Sequence, residues 1–317
     1  MSAITINNSL VHYEKLGRGR PVVLVHSWVG SWRYWVPLMQ TLHLKYSVYA
    51  LDLFGFGDSA KEPTKYDIQN QVEMLEVFLE KMGIPKVALL GHGLGALVAT
   101  EFAHKHPTHV ARMMLIAMPL FEPADLESRR PPGTRVLLTP TLTKTEDKAE
   151  TLLSIPNPAG SITASIFSTE PGTTSAYSFV EQMKSRTIHQ LLDSTFRKSE
   201  TAHTKMESDV AKADSSVLAK SVVGFDEGRL LDTLHALETP MLMVHGLNDP
   251  IVPVPSNNIW EYLTRNNSTP LIPIQLEGIR HFPMLEHEPF PRLATDFLES
   301  PDLQNIEVRG RWRRRSR

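Results

Sequence analysis

Short apolar runs alternate with amphipathic segments along most of the chain, and this alternation predicts the secondary structure. Such runs of four to eight residues are typical of buried strands, and periodic segments of ten or more are typical of helices. Strands are predicted at 3–6, 10–16, 22–26, 47–51, 87–90, 113–117, 241–245 and 272–276, with helices at about 68–82, 95–106, 256–263 and 290–298. Strands that are apolar on both faces and joined by helices predict an α/β protein with a mostly parallel sheet covered on both sides.

The alternation stops between Pro119 and about Phe225. A Pro/Thr/Ser-rich stretch is followed there by long polar helical pieces, such as residues 177–197. Because so long a loop is uncommon inside a compact domain, this segment predicts an inserted, mainly helical cap. The predicted organisation is an α/β core at 1–118 and 226–300, a cap at 119–225 and a basic tail at 301–317.

Composition narrows the classes of function. The chain has 317 residues and no cysteine, which excludes disulfides, thiolate catalysis and cysteine-ligated zinc. It contains no apolar run long enough to span a membrane and no signal-peptide pattern, so we expect a cytoplasmic protein. The net charge is −2, but six arginines crowd positions 309–317. This tail either frays into solvent or contacts an anionic surface, and a nucleic-acid partner is not expected.

The segment GHGLGA at residues 91–96 joins a predicted strand to a predicted helix. It fits the G-x-G-x-x-A pattern of a dinucleotide-binding turn, in which the helix N-terminus holds a pyrophosphate. That use also requires an acidic residue near the end of the next strand. The next strand ends at Ala117 and is followed by Met118 and Pro119, so nucleotide binding is the weaker interpretation. No cofactor or metal site is predicted.

The same turn also fits the position of a nucleophile elbow, G-x-S-x-G, which lifts its middle residue above the carboxyl edge of a sheet. Other polar residues follow strands in the appropriate order. His26, Ser27 and Trp28 end an early strand, Asp249 follows a late strand, and His281 follows the last one. The order of elbow, acid and histidine is that of the α/β-hydrolases.

On these motifs the chain resembles the α/β-hydrolase superfamily over residues 3–300, in particular its capped branch of esterases, lipases, epoxide hydrolases and haloperoxidase-like proteins. Two positions depart from the family pattern. Residue 93 is Gly where the family has a nucleophilic Ser or Asp, and residue 27 is Ser where the family usually has Gly.

The resemblance implies roles for individual residues. In such enzymes a serine attacks a carbonyl, a histidine accepts its proton and an acid orients the histidine, which makes His281 and Asp249 the candidate dyad. Gly93 excludes an acyl-enzyme through its own side chain, and the space left by the missing CH₂OH is expected to admit a water molecule. The amides of Leu94 and Trp28 are expected to hold an oxyanion in a pocket near His26 and Ser27. Ser27 is considered as a replacement nucleophile, although it stands at the oxyanion position.

Four functions therefore remain open. The first is a hydrolase homologue without serine-hydrolase activity that binds a small, largely apolar ligand between cap and core. The second is a hydrolase or lyase that uses Asp249 and His281 on water or on a substrate proton. The third is an esterase engineered from Ser to Gly at position 93, and the fourth is a dinucleotide-binding protein.

Overall fold

A computed structural model describes residues 2–129, 175–264 and 271–301. The strands of these residues form one eight-stranded sheet in the order β1-β2-β4-β3-β5-β6-β7-β8. They are β1 (Ser2–Ile6), β2 (Ser9–Leu16), β3 (Arg20–Val25), β4 (Tyr46–Leu51), β5 (Val87–His92), β6 (Val110–Ile116), β7 (Met241–Gly246) and β8 (Leu271–Leu276).

The first two strands form an antiparallel hairpin, and β2 pairs antiparallel with β4. Asn7 and Asn8 make the hairpin turn with φ of 46° and 65°, a region that asparagine tolerates better than most residues. All other neighbouring strands are parallel, from β4 and β3 through to β7 and β8. The prediction of a mostly parallel sheet in an α/β protein is confirmed.

Eleven α-helices are present in the described residues, and none of them is long and apolar enough to cross a membrane. They are α1 (Val36–Leu42), α2 (Ile68–Lys81), α3 (Leu94–Lys105), α4 (Ala176–Ser185), α5 (Ile188–Thr195), α6 (Thr201–Val210), α7 (Val217–Ser221), α8 (Glu227–Ala236), α9 (Asn257–Thr264), α10 (Pro283–Glu286) and α11 (Phe290–Glu299). Helix α3 packs on β5 and against α2, whereas α1 packs against α11.

Between β6 and β7 the described residues contain helices and no strand. The continuous helical piece expected at 177–197 is two helices, α4 and α5. Thr187 separates them because its hydroxyl accepts from the Gln190 amide while the Gln190 side chain accepts from the Thr187 amide, a capping box that begins a new helix. Residues 130–174 and 302–317 lie outside the described residues, so the cap boundaries and the arginine-rich tail stay predictions.

Three histidines are buried in the core at strand ends. Burial lowers the pKa of His26 and of His245, and it lowers the pKa of His92 well below the usual value, with a further contribution from nearby His281. All three are therefore neutral in the fold at neutral pH. In the unfolded chain each takes up a proton as the pH falls below its ordinary pKa, so the unfolded state binds more protons and stability falls with the pH.

We therefore expect the free energy of unfolding, measured with urea, to decrease between about pH 7.5 and 5.5, by up to about 1.4 kcal/mol per buried histidine. Carboxylates contribute little in this range because they titrate below it. In His245→Gln the decrease should be smaller, because glutamine takes up no proton in the unfolded chain. Its side-chain amide can still donate to the Met118 carbonyl that His245 Nε2 contacts at 2.9 Å, so the fold is retained. His104→Gln, at an exposed position, is the control. A pH-independent stability would contradict this assignment.

Candidate active site

The site is organised around the sharp turn between β5 and α3. Gly93 occupies this turn with φ 52° and ψ −109°, a conformation that strains residues other than glycine. Its amide donates to the Ile116 carbonyl at 2.8 Å, and the Gly95 amide donates to the His26 carbonyl at 3.0 Å. These bonds fix the turn against β6 and against the loop that follows β3.

The parallel strands bring the other predicted site residues to the same edge of the sheet. Ser27 follows β3, Asp249 follows β7 and His281 follows β8, and each comes after the carboxyl end of its strand. Because strands β3, β5, β6, β7 and β8 run parallel, these ends lie side by side. Residues separated by more than 200 positions in sequence therefore meet beside Gly93.

Asp249 and His281 form a buried pair. His281 Nδ1 lies 2.7 Å from Asp249 Oδ2, and the two side chains are 0% and 1% exposed. The other oxygen, Asp249 Oδ1, accepts the amides of Ile251 and Val252 at 2.8 and 3.0 Å. Asp249 thus shapes its own turn and also orients the imidazole. An imidazole that donates from Nδ1 to a carboxylate has Nε2 free to accept a proton.

The group that faces His281 Nε2 is the hydroxyl of Ser27. Ser27 Oγ lies 2.9 Å from this nitrogen, and Ser27 is fully buried. A Cβ built on Gly93 would overlap Ser27 Oγ and would lie 3.0 Å from Ser27 Cβ and 3.1 Å from Trp28 Cε3. The expectation of a vacant space for water at Gly93 is therefore wrong, because the Ser27 hydroxyl already fills it.

The backbone of Ser27 is held by a directional chain of hydrogen bonds. Its amide donates to the Tyr34 hydroxyl at 2.8 Å, and that hydroxyl lies 3.0 Å from His92 Nδ1. His92 Nε2 lies 2.8 Å from the His281 carbonyl, which can only accept. Nε2 of neutral His92 therefore carries the proton and Nδ1 accepts from Tyr34. The chain links the backbone of Ser27 to the backbone of His281.

His26, Leu94 and Trp28 complete the predicted set. His26 Nδ1 donates to the Ser27 carbonyl at 2.6 Å and its Nε2 accepts the Leu53 amide at 3.0 Å, so both nitrogens are engaged in positioning loops. Leu94 is the first residue of α3, and its amide therefore has no acceptor within the helix. Neither this amide nor that of Trp28 donates to another described residue.

Comparison with known proteins identifies the fold in which this site lies. A model of the α/β-hydrolase fold family matches residues 20–135. A soluble epoxide hydrolase of Corynebacterium sp. (strain C12) is 34% identical over 113 residues, which are 36% of this chain and 40% of that protein. A (lyso)-N-acylphosphatidylethanolamine lipase of Bos taurus is 35% identical over 123 residues, 37% of this chain and 36% of the relative. The chain thus spans well under half the length of either relative.

A solved structure extends the likeness to nearly the whole chain. The esterase EaEST from Exiguobacterium antarcticum superposes with a TM-score of 0.66 and 17% identity, covering 93% of this chain and 98% of that structure. The chain therefore has the α/β-hydrolase fold, and its residues 20–135 match the family model of that fold. Its departure from the superfamily pattern at Gly93 and Ser27 thus lies within an otherwise typical fold.

Trp28 covers this candidate site. Its indole Nε1 donates to Ser221 Oγ of α7 at 2.9 Å, and its ring meets Phe179 of α4 edge-on at 5.6 Å between centroids. Trp28 is fully buried, as are Ser27 and His281. A ligand that approaches Ser27 from this side has to displace the indole.

One group of side chains elsewhere has the composition of a metal site. The ligand atoms of His12, Asp52 and Asp58 lie within 4.8 Å of one another. However, the Asp52 carboxylate already accepts the amides of Trp32 and Asp58, each at 2.9 Å. Asp58 forms an ion pair with Lys212 at 2.7 Å. These contacts account for the carboxylates as turn and ion-pair groups without a cation.

Sequence reasoning missed two groups that hold the site together. His92 is the residue between the first two glycines of the turn, and Tyr34 lies in an aromatic-rich segment whose sequence does not indicate the two contacts of its hydroxyl. Tyr34 could have been found by expecting this aromatic segment to be buried, since the hydroxyl of a buried tyrosine usually has a hydrogen-bond partner. Burial raises the pKa of Tyr34 well above its usual value, so the phenol stays protonated and can donate to His92.

We expect Tyr34→Phe to lower the free energy of unfolding by about 1–3 kcal/mol, because it leaves the buried Ser27 amide and His92 Nδ1 without partners. Urea unfolding followed by circular dichroism measures this. Tyr49→Phe removes the hydroxyl of another buried tyrosine that is outside the network and serves as the matched control. Equal effects of the two substitutions would show that the Tyr34 hydroxyl does not hold the site.

Proposed function

We propose that this protein hydrolyses small, largely apolar carboxylic esters, with His281 as the general base and Asp249 as the group that orients it. The observation that carries the proposal is the buried relay in which Asp249, His281 and a hydroxyl follow one another at 2.7 and 2.9 Å beside Gly93. A histidine held in one tautomer by a carboxylate is the arrangement that proton transfer at a carbonyl requires.

The chemistry follows from the positions of the polar groups. His281 removes a proton from the attacking oxygen, and Asp249 stabilises the imidazolium that forms. The carbonyl oxygen becomes negative as the bond forms. The Leu94 amide is available to bind it at the N-terminus of α3, where the helix dipole also favours negative charge. His281 then returns the proton to the departing alcohol.

The surroundings support an apolar ester as the substrate. Trp28, Phe179 and Leu94 are buried and apolar around the relay. We infer that the helices between β6 and β7 form a cap at 119–225, because α4 and α7 both contact Trp28. The names esterase and lipase carried by two of the similar proteins agree with ester chemistry. Epoxide opening is less favoured, since residue 93 carries no carboxylate.

Ligand binding without catalysis is the second candidate. It is favoured by one observation, the complete burial of Ser27 and His281 beneath Trp28. In this case the small apolar ligand occupies the space between cap and core, and the relay only holds the loops together. Turnover distinguishes the two candidates.

We expect the unmodified protein to hydrolyse p-nitrophenyl acetate or butyrate. In His281→Ala, kcat/KM should fall by about 10³-fold or more, and in Asp249→Asn by about 10²-fold or more because the imidazole loses its orientation. His189→Ala, at an exposed position on α5, is the control and should retain full activity. A rate unaffected by His281→Ala would contradict the assigned base, and absence of turnover would favour the binding role.

A further inference from the structure

The two departures from the superfamily pattern occupy one position in space. Residue 93 has lost the side chain that the pattern requires, and residue 27 has gained one where the pattern has glycine. The Ser27 hydroxyl lies where a Cβ on Gly93 would be, and Ser27 Cβ lies 3.0 Å from that Cβ position. A serine at 93 and the observed conformation of Ser27 therefore exclude each other. The two departures are a single exchange of the hydroxyl between neighbouring loops.

We propose that Ser27 is the nucleophile of this hydrolase, and that an ester substrate forms an acyl-enzyme on Ser27 Oγ. This inference rests on the proposed function and adds to it the identity of the attacking atom. It replaces direct attack by water as the first chemical step.

The hydrogen bonds of Ser27 favour this role over simple packing. Its hydroxyl contacts His281 Nε2 at 2.9 Å, and His281 in turn contacts Asp249 at 2.7 Å, so the three side chains form a complete triad. The backbone of Ser27 is fixed on both sides, by the Tyr34 hydroxyl at its amide and by His26 at its carbonyl. A nucleophile held in this way needs little reorganisation before attack.

The exchange also preserves the oxyanion site. In α/β-hydrolases one amide belongs to the residue after the nucleophile and the other to the loop after the third strand. When the nucleophile is residue 93, these are the amides of Leu94 and Trp28. When it is Ser27, Trp28 becomes the residue after the nucleophile and Leu94 supplies the second amide. The same pair therefore serves both arrangements with their roles exchanged.

The reaction balances with water as the only co-reactant. Ser27 Oγ bonds to the carbonyl carbon while its proton passes to His281 Nε2. The bond from that carbon to the alkoxy oxygen then breaks, and the alcohol leaves with this proton. Water next attacks the acyl group and gives a proton to His281, which returns it to Ser27 Oγ as the carboxylic acid is released.

The first experiment compares the unmodified protein with Ser27→Ala and with Ser185→Ala, an exposed serine on α4. Hydrolysis of p-nitrophenyl acetate and labelling by a serine-directed fluorophosphonate are measured, and labelled peptides are mapped by mass spectrometry. We expect the label on Ser27, a loss of kcat of about 10³-fold or more in Ser27→Ala, and no change in Ser185→Ala.

The double variant Ser27→Gly/Gly93→Ser tests the exchange itself. It removes the hydroxyl from one loop and restores it on the other, so we expect labelling to move to residue 93 and hydrolysis to recover by at least tenfold over Ser27→Ala. Recovery also shows that removing the Ser27 hydroxyl does not by itself prevent the chain from folding. A double variant that folds but is neither labelled nor active would contradict the exchange.

A thiol at position 27 gives a readout that needs no substrate. Because the chain has no cysteine, Ser27→Cys introduces a single thiol, whose ionisation can be followed by thiolate absorbance. If His281 acts on this position, the thiol pKa should lie below that of free cysteine and rise by at least one unit when His281→Ala is added. An equal pKa with and without His281→Ala would overturn the inference.

The outcomes separate the inference from the proposed function. Hydrolysis that survives Ser27→Ala but is lost in His281→Ala would overturn Ser27 as nucleophile while keeping the hydrolase. Labelling at Ser27 without ester turnover would support the nucleophile and reject the proposed function. If neither labelling nor turnover is seen, and the thiol pKa in Ser27→Cys does not change with His281→Ala, the inference and the proposed function are both rejected.

Discussion

The hydroxyl of Ser27 occupies the position that a side chain on Gly93 would take, and the arrangement of the site depends on this exclusion. Ser27 contacts His281 from this position at 2.9 Å, so the histidine has a hydroxyl partner although the elbow has none. Glycine at residue 93 has two consequences here. It adopts the left-handed conformation of the turn at little cost, and it leaves the space that the serine of the neighbouring loop occupies.

The polar groups around this volume are buried, and they are stable there because they satisfy one another. Each hydrogen bond from Ser27 through Tyr34 and His92 to His281 has a donor and an acceptor in a fixed order. Removing one partner would leave its neighbour buried without a hydrogen bond, which costs more than the bond itself contributes. The network therefore fixes the positions of the Ser27 and His281 backbones relative to each other.

Much of this fold follows from the pattern of the sequence. The apolar runs predict the strands, and the glycine turn predicts the helix that follows it. Together with the order of elbow, acid and histidine, they place Gly93, Asp249 and His281 at the carboxyl ends of parallel strands. The position of the Ser27 hydroxyl beside Gly93 and His281 does not follow from the pattern, because residues 66 positions apart in sequence give no sign that they occupy one volume. The break at Thr187 was also missed, since the amphipathic pattern runs through a capping residue there.

A double-mutant cycle on stability tests the shared volume most directly, because it requires neither substrate nor activity. The free energy of unfolding is measured for the unmodified protein, Ser27→Gly, Gly93→Ser and the double variant. The backbone strain of Ser at residue 93 is common to both backgrounds and cancels in the coupling energy. The account predicts that Gly93→Ser costs at least about 1 kcal/mol more when Ser27 is present than when it is glycine. Effects that add to within about 0.5 kcal/mol would show that the two side chains do not compete for one position, and would contradict the account.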